Sequence, residues 1–197
     1  LAITSDGCQA SKPSPEAEGF MTTPSRDPVI GFIGLGDMGE PMARCLLRAG
    51  FSVVGAAHRR RDALERLATE GLQEVSGPRE VAVRSDILIT CVVDQTQTET
   101  VLRGTPDEPG ALSGLRAGSS LIIMSTLSPT YCHALAEELA PRSIQMLDCP
   151  VSGGRARAED ASLALICGGD PATVERCRNV LETMGTLTHC GGIGQGP

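Results

Sequence analysis

The chain has 197 residues, of which 41% are apolar, and a formal net charge of −7. That length supports one good core, or one domain with tails. The acidic balance argues against a nucleic-acid binder and suits a cytoplasmic enzyme, and no apolar run reaches the roughly 18 residues of a membrane span.

One Tyr, three Phe and no Trp leave the core to be built from aliphatic residues, Met and Cys. The eight cysteines include no C-x-x-C pair, and only three His accompany them. They read as reduced cysteines serving as small hydrophobes, and no metal-ligand spacing stands out.

Residues 1–27 read as a disordered tail or an upstream extension: "LAITSDGCQASKPSPEAEGF" is small and polar and lacks the basic start and apolar run of a signal peptide. Met21, ahead of "TTPSRDP", has the look of a natural start. From residue 28 strand and helix alternate. A buried strand over 29–34 is followed by a helix over 38–50, with Pro41 in its first turn and Gly50 as its stop. A strand over 51–56, a helix over 60–71, a short strand over 72–75 and a brief helix over 78–85 come next. A strand over 86–93 leads to a helix over 97–104 and a turn-rich loop over 104–114. A strand over 120–125 precedes a helix over 128–140 with Ser128 as N-cap. A strand over 144–149 runs into the loop "DCPVSGGRARAED", residues 148–160. A strand over 162–169, a helix over 171–185 capped by Asp170 and a last strand over 186–191 complete the pattern. Alternating β and α with buried apolar strands predicts a doubly wound, mainly parallel sheet with helices on both faces, a Rossmann-type α/β fold spanning 28–191.

The first strand ends in Gly34-Leu35-Gly36-Asp37-Met38-Gly39, a G-x-G-x-x-G between strand and helix. In that context the string predicts a dinucleotide site: Gly34 for the turn, Gly36 for close approach of a pyrophosphate, Gly39 for helix–strand packing. A plain strand–turn–helix corner is the bland alternative. After the second strand an NAD binder carries an acid for the ribose 2′-OH. Here "AAHRRRD" offers His58, Arg59, Arg60 and Arg61 before the first acid, Asp62. Guanidinium groups fork onto a 2′-phosphate that a carboxylate would repel, so NADP is the expected cofactor, with NAD possible and Arg59 the first choice of contact. His58 either stacks on adenine or is a surface residue.

"GFIGLGDMGEPMARCLLRAGF", "STLSP" and "DCPVSGG" together resemble the β-hydroxyacid dehydrogenase family, which includes 3-hydroxyisobutyrate dehydrogenase and tartronate semialdehyde reductase and is related to 6-phosphogluconate dehydrogenase. The resemblance spans residues 29–197. It implies a Rossmann-type domain followed by a helical domain through which subunits associate as homo-oligomers. It also implies interconversion of a small β-hydroxy acid and its semialdehyde with NADP or NAD, with no nucleic-acid or membrane partner. By position, it places Val93, Asp94, Ser125 and Thr126 at the nicotinamide and its ribose, Val93 standing where the family commonly has Pro. Ser152, Gly153 and Gly154 match the substrate loop, where a hydroxyl and adjacent amides converge on a carboxylate. Arg157 and Ala161 depart from small residues and glycine; Arg157 either pairs with Glu159 or Asp160 or adds charge near an acidic substrate.

The family's proton-transferring Lys follows a Gly-x-Gly stretch. "GGIGQGP" (191–197) looks like that stretch, and Lys12 is the only Lys in the sequence. Residues 192–197 are therefore expected to start a linker to a further, helical domain carrying the Lys, and 1–197 alone is expected to be inactive. His133 and His189 read as structural. An imine reductase-like relative on the same scaffold, or a non-catalytic nucleotide-binding module, remain alternative readings.

Overall fold

The computed structural model describes residues 27–57 and 61–196. Of the expected tail over 1–27 all but Asp27, and the sites at His58, Arg59 and Arg60, lie outside the described residues. The strands are β1 (Ile30–Ile33), β2 (Val53–Gly55), β3 (Gln73–Glu74), β4 (Ile87–Thr90), β5 (Ser120–Ile123), β6 (Gln145–Asp148), β7 (Val151–Ser152), β8 (Leu163–Gly169) and β9 (Gly185–Gly191). The helices are α1 (Gly39–Arg48), α2 (Asp62–Thr69), α3 (Pro78–Arg84), α4 (Gln95–Arg103), α5 (Pro129–Leu139), α6 (Gly154–Glu159) and α7 (Pro171–Leu181).

One sheet runs in the order β3-β2-β1-β4-β5-β6-β8-β7, with β9 on β8. Pairing from β3 to β6 is parallel, as is β8 with β9, whereas β6 and β7 are antiparallel to β8. The sheet is Rossmann-type and mainly parallel, as the alternating pattern predicted. Strands buried on both faces explain the near-continuous apolar runs. Alternate residues feed two cores. Ile30, Phe32, Ile89 and Ile122 meet α1, α2 and α7 through Met42, Leu46, Leu64 and Val180. Ile33, Leu88, Leu121 and Ile123 meet α3, α4 and α5 through Val81, Leu102 and Leu135.

Caps follow the chemistry of their residues. Ser128 accepts from the Tyr131 amide at 3.3 Å and Asp170 from the Thr173 amide at 3.0 Å, both as expected. After α1, Gly50 takes φ +91°, and the Phe51 amide bonds the Leu46 carbonyl at 3.1 Å, the wider bond of a Schellman closure. Helix α4 starts two residues earlier than expected because Asp94 caps it, accepting from the Gln97 amide at 2.8 Å.

The stretch over 148–160, read as a loop, contains β7 and α6. Leu147 opposes Gly169 and Val151 opposes Leu165 in one unbroken register, so β6 and β7 are one strand interrupted at Cys149-Pro150. Helix α6 was missed because six residues hold too few apolar positions to show a period. Its anchor is Ala158, fully buried, whose carbonyl accepts from Cys45 Sγ at 3.4 Å. Ala161, just after it, takes φ +53°, a left-handed conformation that glycine adopts without strain.

Among the described residues seven cysteines are free, and Cys45, Cys132, Cys149, Cys167 and Cys177 are buried. No described helix is long and apolar enough to cross a membrane.

Candidate dinucleotide cleft and its neighbouring glycine loop

Strand β1 is the point at which successive crossovers leave in opposite directions, to β2 on one side and to β4 on the other. A ligand crevice opens at the carboxyl ends of strands at such a point. Here it is a cleft of about 410 Å³, lined by Gly34, Leu35 and Gly36 after β1, Ala56 and Ala57 after β2, Cys91, Val92 and Val93 after β4, and Thr96, Gln97 and Thr100 of α4.

The three glycines of the first loop differ in what they face. Gly34 has φ +100°, and a Cβ there would run into the Cys91 carbonyl oxygen. A Cβ on Gly39 would occupy the Gly34 carbonyl oxygen and lie 3.0 Å from Phe32 Cε1. Both are fixed by the domain's own packing. Gly36 is exposed and meets nothing within 4 Å. It borders the cleft beside the start of α1, which no side chain caps. The Glu40 amide is bonded to the Gly36 carbonyl at 2.9 Å and Pro41 carries no N–H, so what the helix start turns to the open space beside Gly36 is chiefly its positive dipole end. Leu35 packs against the core, and Asp37 points outward with its side chain 95% exposed.

Helix α1 is tied to α2 by a charged network. Glu40, only 4% exposed, accepts from Arg66 Nε at 2.8 Å and Arg66 Nη2 at 2.9 Å, and from Arg44 Nη2 at 3.0 Å. Arg44 also bonds Glu70 at 2.7 and 2.9 Å. The Arg66 hydrogen bonds, with Arg44's outweighing the opposing effect of burial, hold the Glu40 carboxyl down at about 2. Sequence reasoning missed this network because the pairs that join α1 to α2, Glu40 with Arg66 and Arg44 with Glu70, are each 26 residues apart.

The end of β2 carries Gly55, Ala56 and Ala57, none of them acidic. Across the β2–β3 pair Gly55 faces Glu74, the nearest acid of the neighbouring strand. Arg61 neutralises it with bonds of 2.8 and 3.0 Å and approaches Glu65 at 3.6 Å, so Arg61 is committed to the protein.

At the end of β4, Ser125 Oγ donates to the Val92 carbonyl at 2.7 Å and accepts from the Val92 amide at 3.3 Å. Ser125 is 6% exposed and holds two strand ends together. Thr126 beside it is exposed, and Val93 protrudes with 83% of its surface open. Burial pushes the Cys91 thiol up to about 11, so it is uncharged at neutral pH.

Ser152, Gly153 and Gly154 do not line this cleft. They lie exposed between β7 and α6, with Gly153 at φ +138° and Gly154 at φ +70°. The two glycine loops are linked by Arg155, whose Nη1 donates to the Asp37 carbonyl at 3.4 Å and whose Nε bonds Glu159 at 2.8 Å.

A further residue, read in the sequence only as part of a strand, is Asp148. Its side chain is buried and accepts from the Gly194 amide at 3.0 Å and the Gly196 amide at 2.8 Å. It pins 194–196 over the sheet. Gly168 is required beside it, since a Cβ there would come within 2.7 and 2.8 Å of the carboxylate oxygens. An acid in an apolar strand, "IQMLDC", was the available signal: a buried charge needs partners. His189 is engaged with the Gly169 and Gly191 carbonyls at 3.0 and 2.8 Å, in keeping with a structural role.

Fold and cleft together define a Rossmann-type nucleotide-binding domain. The match is specific: over residues 29–192 the chain belongs to the family of the NAD-binding domain of 6-phosphogluconate dehydrogenase. It is 36% identical over 167 residues to L-threonate dehydrogenase of Cupriavidus necator, covering 85% of this chain and 55% of that enzyme. Among solved structures it superposes with a TM-score of 0.77 on 3-hydroxyisobutyrate dehydrogenase of Mycobacterium tuberculosis with L-serine, at 34% identity, covering 87% of this chain and 57% of that one. An imine reductase from Myxococcus stipitatus in complex with NADP+ gives a TM-score of 0.75 at 25% identity, covering 85% and 56%. The chain spans about half the length of the relatives it matches.

Proposed function

We propose that this chain is the cofactor- and substrate-loop-bearing domain of an NADP-dependent oxidoreductase that interconverts a small β-hydroxy acid and its semialdehyde. The observation that carries the reading is Gly36: the one glycine of the fingerprint with empty space before it faces the cleft at an uncapped helix start. The pyrophosphate would sit on that turn, whose shape Gly34 and Gly39 hold. The absence of an acid after β2 and the neutralisation of Glu74 by Arg61 favour a 2′-phosphate, received by Arg59 with Arg60 and His58. The bound nicotinamide supplies the hydride acceptor or donor. Val93 and Thr126 would flank it, while Ser125, committed to Val92, fixes the edge of β4, and Asp94 orients α4 as its cap.

Ser152 with the amides of Gly153 and Gly154 holds the substrate carboxylate and so orients the carbinol carbon. The hydroxyl proton is taken by a Lys that follows the 191–196 segment, whose course Asp148 fixes. Residues 192–197 form the start of a linker to a helical domain, which mediates homo-oligomerisation in a cytoplasmic enzyme. The likeness to an NADP+-bound imine reductase supports a second reading on the same scaffold, with lower identity than the dehydrogenases show.

Calorimetric titration tests the cofactor. NADPH is expected to bind at least tenfold tighter than NADH, and Arg59→Ala is expected to remove most of that difference, about 1.4 kcal/mol or more. Equal affinity for the two would refute the NADP assignment.

A further inference from the structure

We infer that Arg157 is the countercharge of the carboxylate site at Ser152, Gly153 and Gly154, and that it makes the site selective for anionic over neutral substrates. The inference rests on the reading of that loop given above.

A carboxylate held by a hydroxyl and backbone amides is held by dipoles alone, and in a chain of net charge −7 a local cation adds attraction that dipoles do not. The Arg157 stem lies on Gly153: an added Cβ there would meet Arg157 Cδ at 2.6 Å, Cβ at 2.9 Å and Cγ at 3.2 Å. The guanidinium carbon is two bonds past Cδ, at most about 2.5 Å further, so its charge stays beside the loop. Gly153 is held to glycine by its φ of +138°, which leaves that face bare for the arginine stem.

Among the described residues no acid takes the charge. Asp160, at i+3 the neighbour on the same side of the helix, makes no ion pair with Arg157, and Glu159, at i+2, faces away from it and is held by Arg155 at 2.8 Å, which also reaches Asp37. Among the described residues Arg157 has no ion pair, unlike Arg44, Arg61, Arg66, Arg103 and Arg178. Of the two expectations for Arg157, pairing with Glu159 or Asp160 is thus not the one the structure adopts. With its stem laid on Gly153, Arg157 stands over the glycine loop as a cation with no ion pair among the described residues.

The test is steady-state kinetics of the full-length, cofactor-saturated protein that carries this chain. The substrates are a β-hydroxy acid and its primary amide, a neutral analogue of similar shape. Arg157→Ala is expected to raise KM for the acid about tenfold with kcat within about twofold, and to leave the amide unchanged. Arg157→Lys should recover most of the loss, and added salt should shrink the wild-type preference for the acid. Unchanged melting temperatures and NADPH affinity in both variants confirm that fold and cofactor site are intact. If Arg157→Ala shifts acid and amide equally, or neither, the inference is overturned while the dehydrogenase reading stands. If the wild type oxidises no β-hydroxy acid, the parent reading fails and this one with it.

Discussion

The two glycine loops of this chain look alike in sequence and are held in opposite ways. In the first, Gly34 and Gly39 are locked by the domain itself, because any side chain would enter a backbone carbonyl. Only Gly36 looks outward. In the second, Gly154 meets nothing and Gly153 meets only the flexible Arg157 side chain, yet both hold positive φ. The first loop is a structural joint with one opening. The second is an exposed surface whose shape comes from backbone dihedrals and from Arg157. Glycine therefore marks packing in one place and access in the other.

That contrast can be broken by substitution. Gly39→Ala carries the largest expected cost, roughly 3 kcal/mol or more, since the overlap is with backbone and cannot be relieved by a rotamer change. Urea unfolding monitored by circular dichroism measures it; a loss under 1 kcal/mol would show that the joint is softer than its geometry.

Glu40→Gln comes next. It is expected to cost about 2 kcal/mol at neutral pH, because two arginines lose the charge of a buried carboxylate. The folded carboxyl titrates near 2, below its ordinary value of 4.5. Its stabilisation is therefore complete above 4.5 and is lost as pH falls toward 2. Wild type and variant should converge in stability over that window, and parallel curves would contradict the assignment.

Gly154→Ala should cost least, about 1 kcal/mol for a left-handed alanine with free space around it. A cost equal to that of Gly39→Ala would erase the distinction between the loops.

Much of this was legible in the sequence where the signal is local. The helix caps at Ser128 and Asp170, the stop at Gly50 and the glycine fingerprint depend on residues within a turn of each other, and each stands where its chemistry put it. Sheet class followed from apolar runs long enough to be buried on both faces. What escaped depends on distance along the chain. Asp148 meets amides 46 and 48 residues on, and Arg155 reaches a carbonyl 118 residues back. No spacing rule connects such pairs. Helix α6 escaped for a different reason: a six-residue, alanine-containing turn is held by one buried contact, not by a periodic face. Arg157 was legible as a departure from the family pattern, but the packing of its stem on Gly153, not on the acids beside it, depends on side-chain placement that no spacing rule gives.

The central claim is that Gly36 is open because a dinucleotide diphosphate occupies that space. Gly36→Val tests it, since its φ lies outside the left-handed region and no neighbour is within 4 Å. NADPH titrated calorimetrically into wild type and variant, with urea midpoints measured alongside, gives the answer. The account predicts unchanged unfolding, within about 0.5 kcal/mol, and at least a hundredfold loss of NADPH affinity. Retained affinity in a fully folded Gly36→Val protein would contradict it.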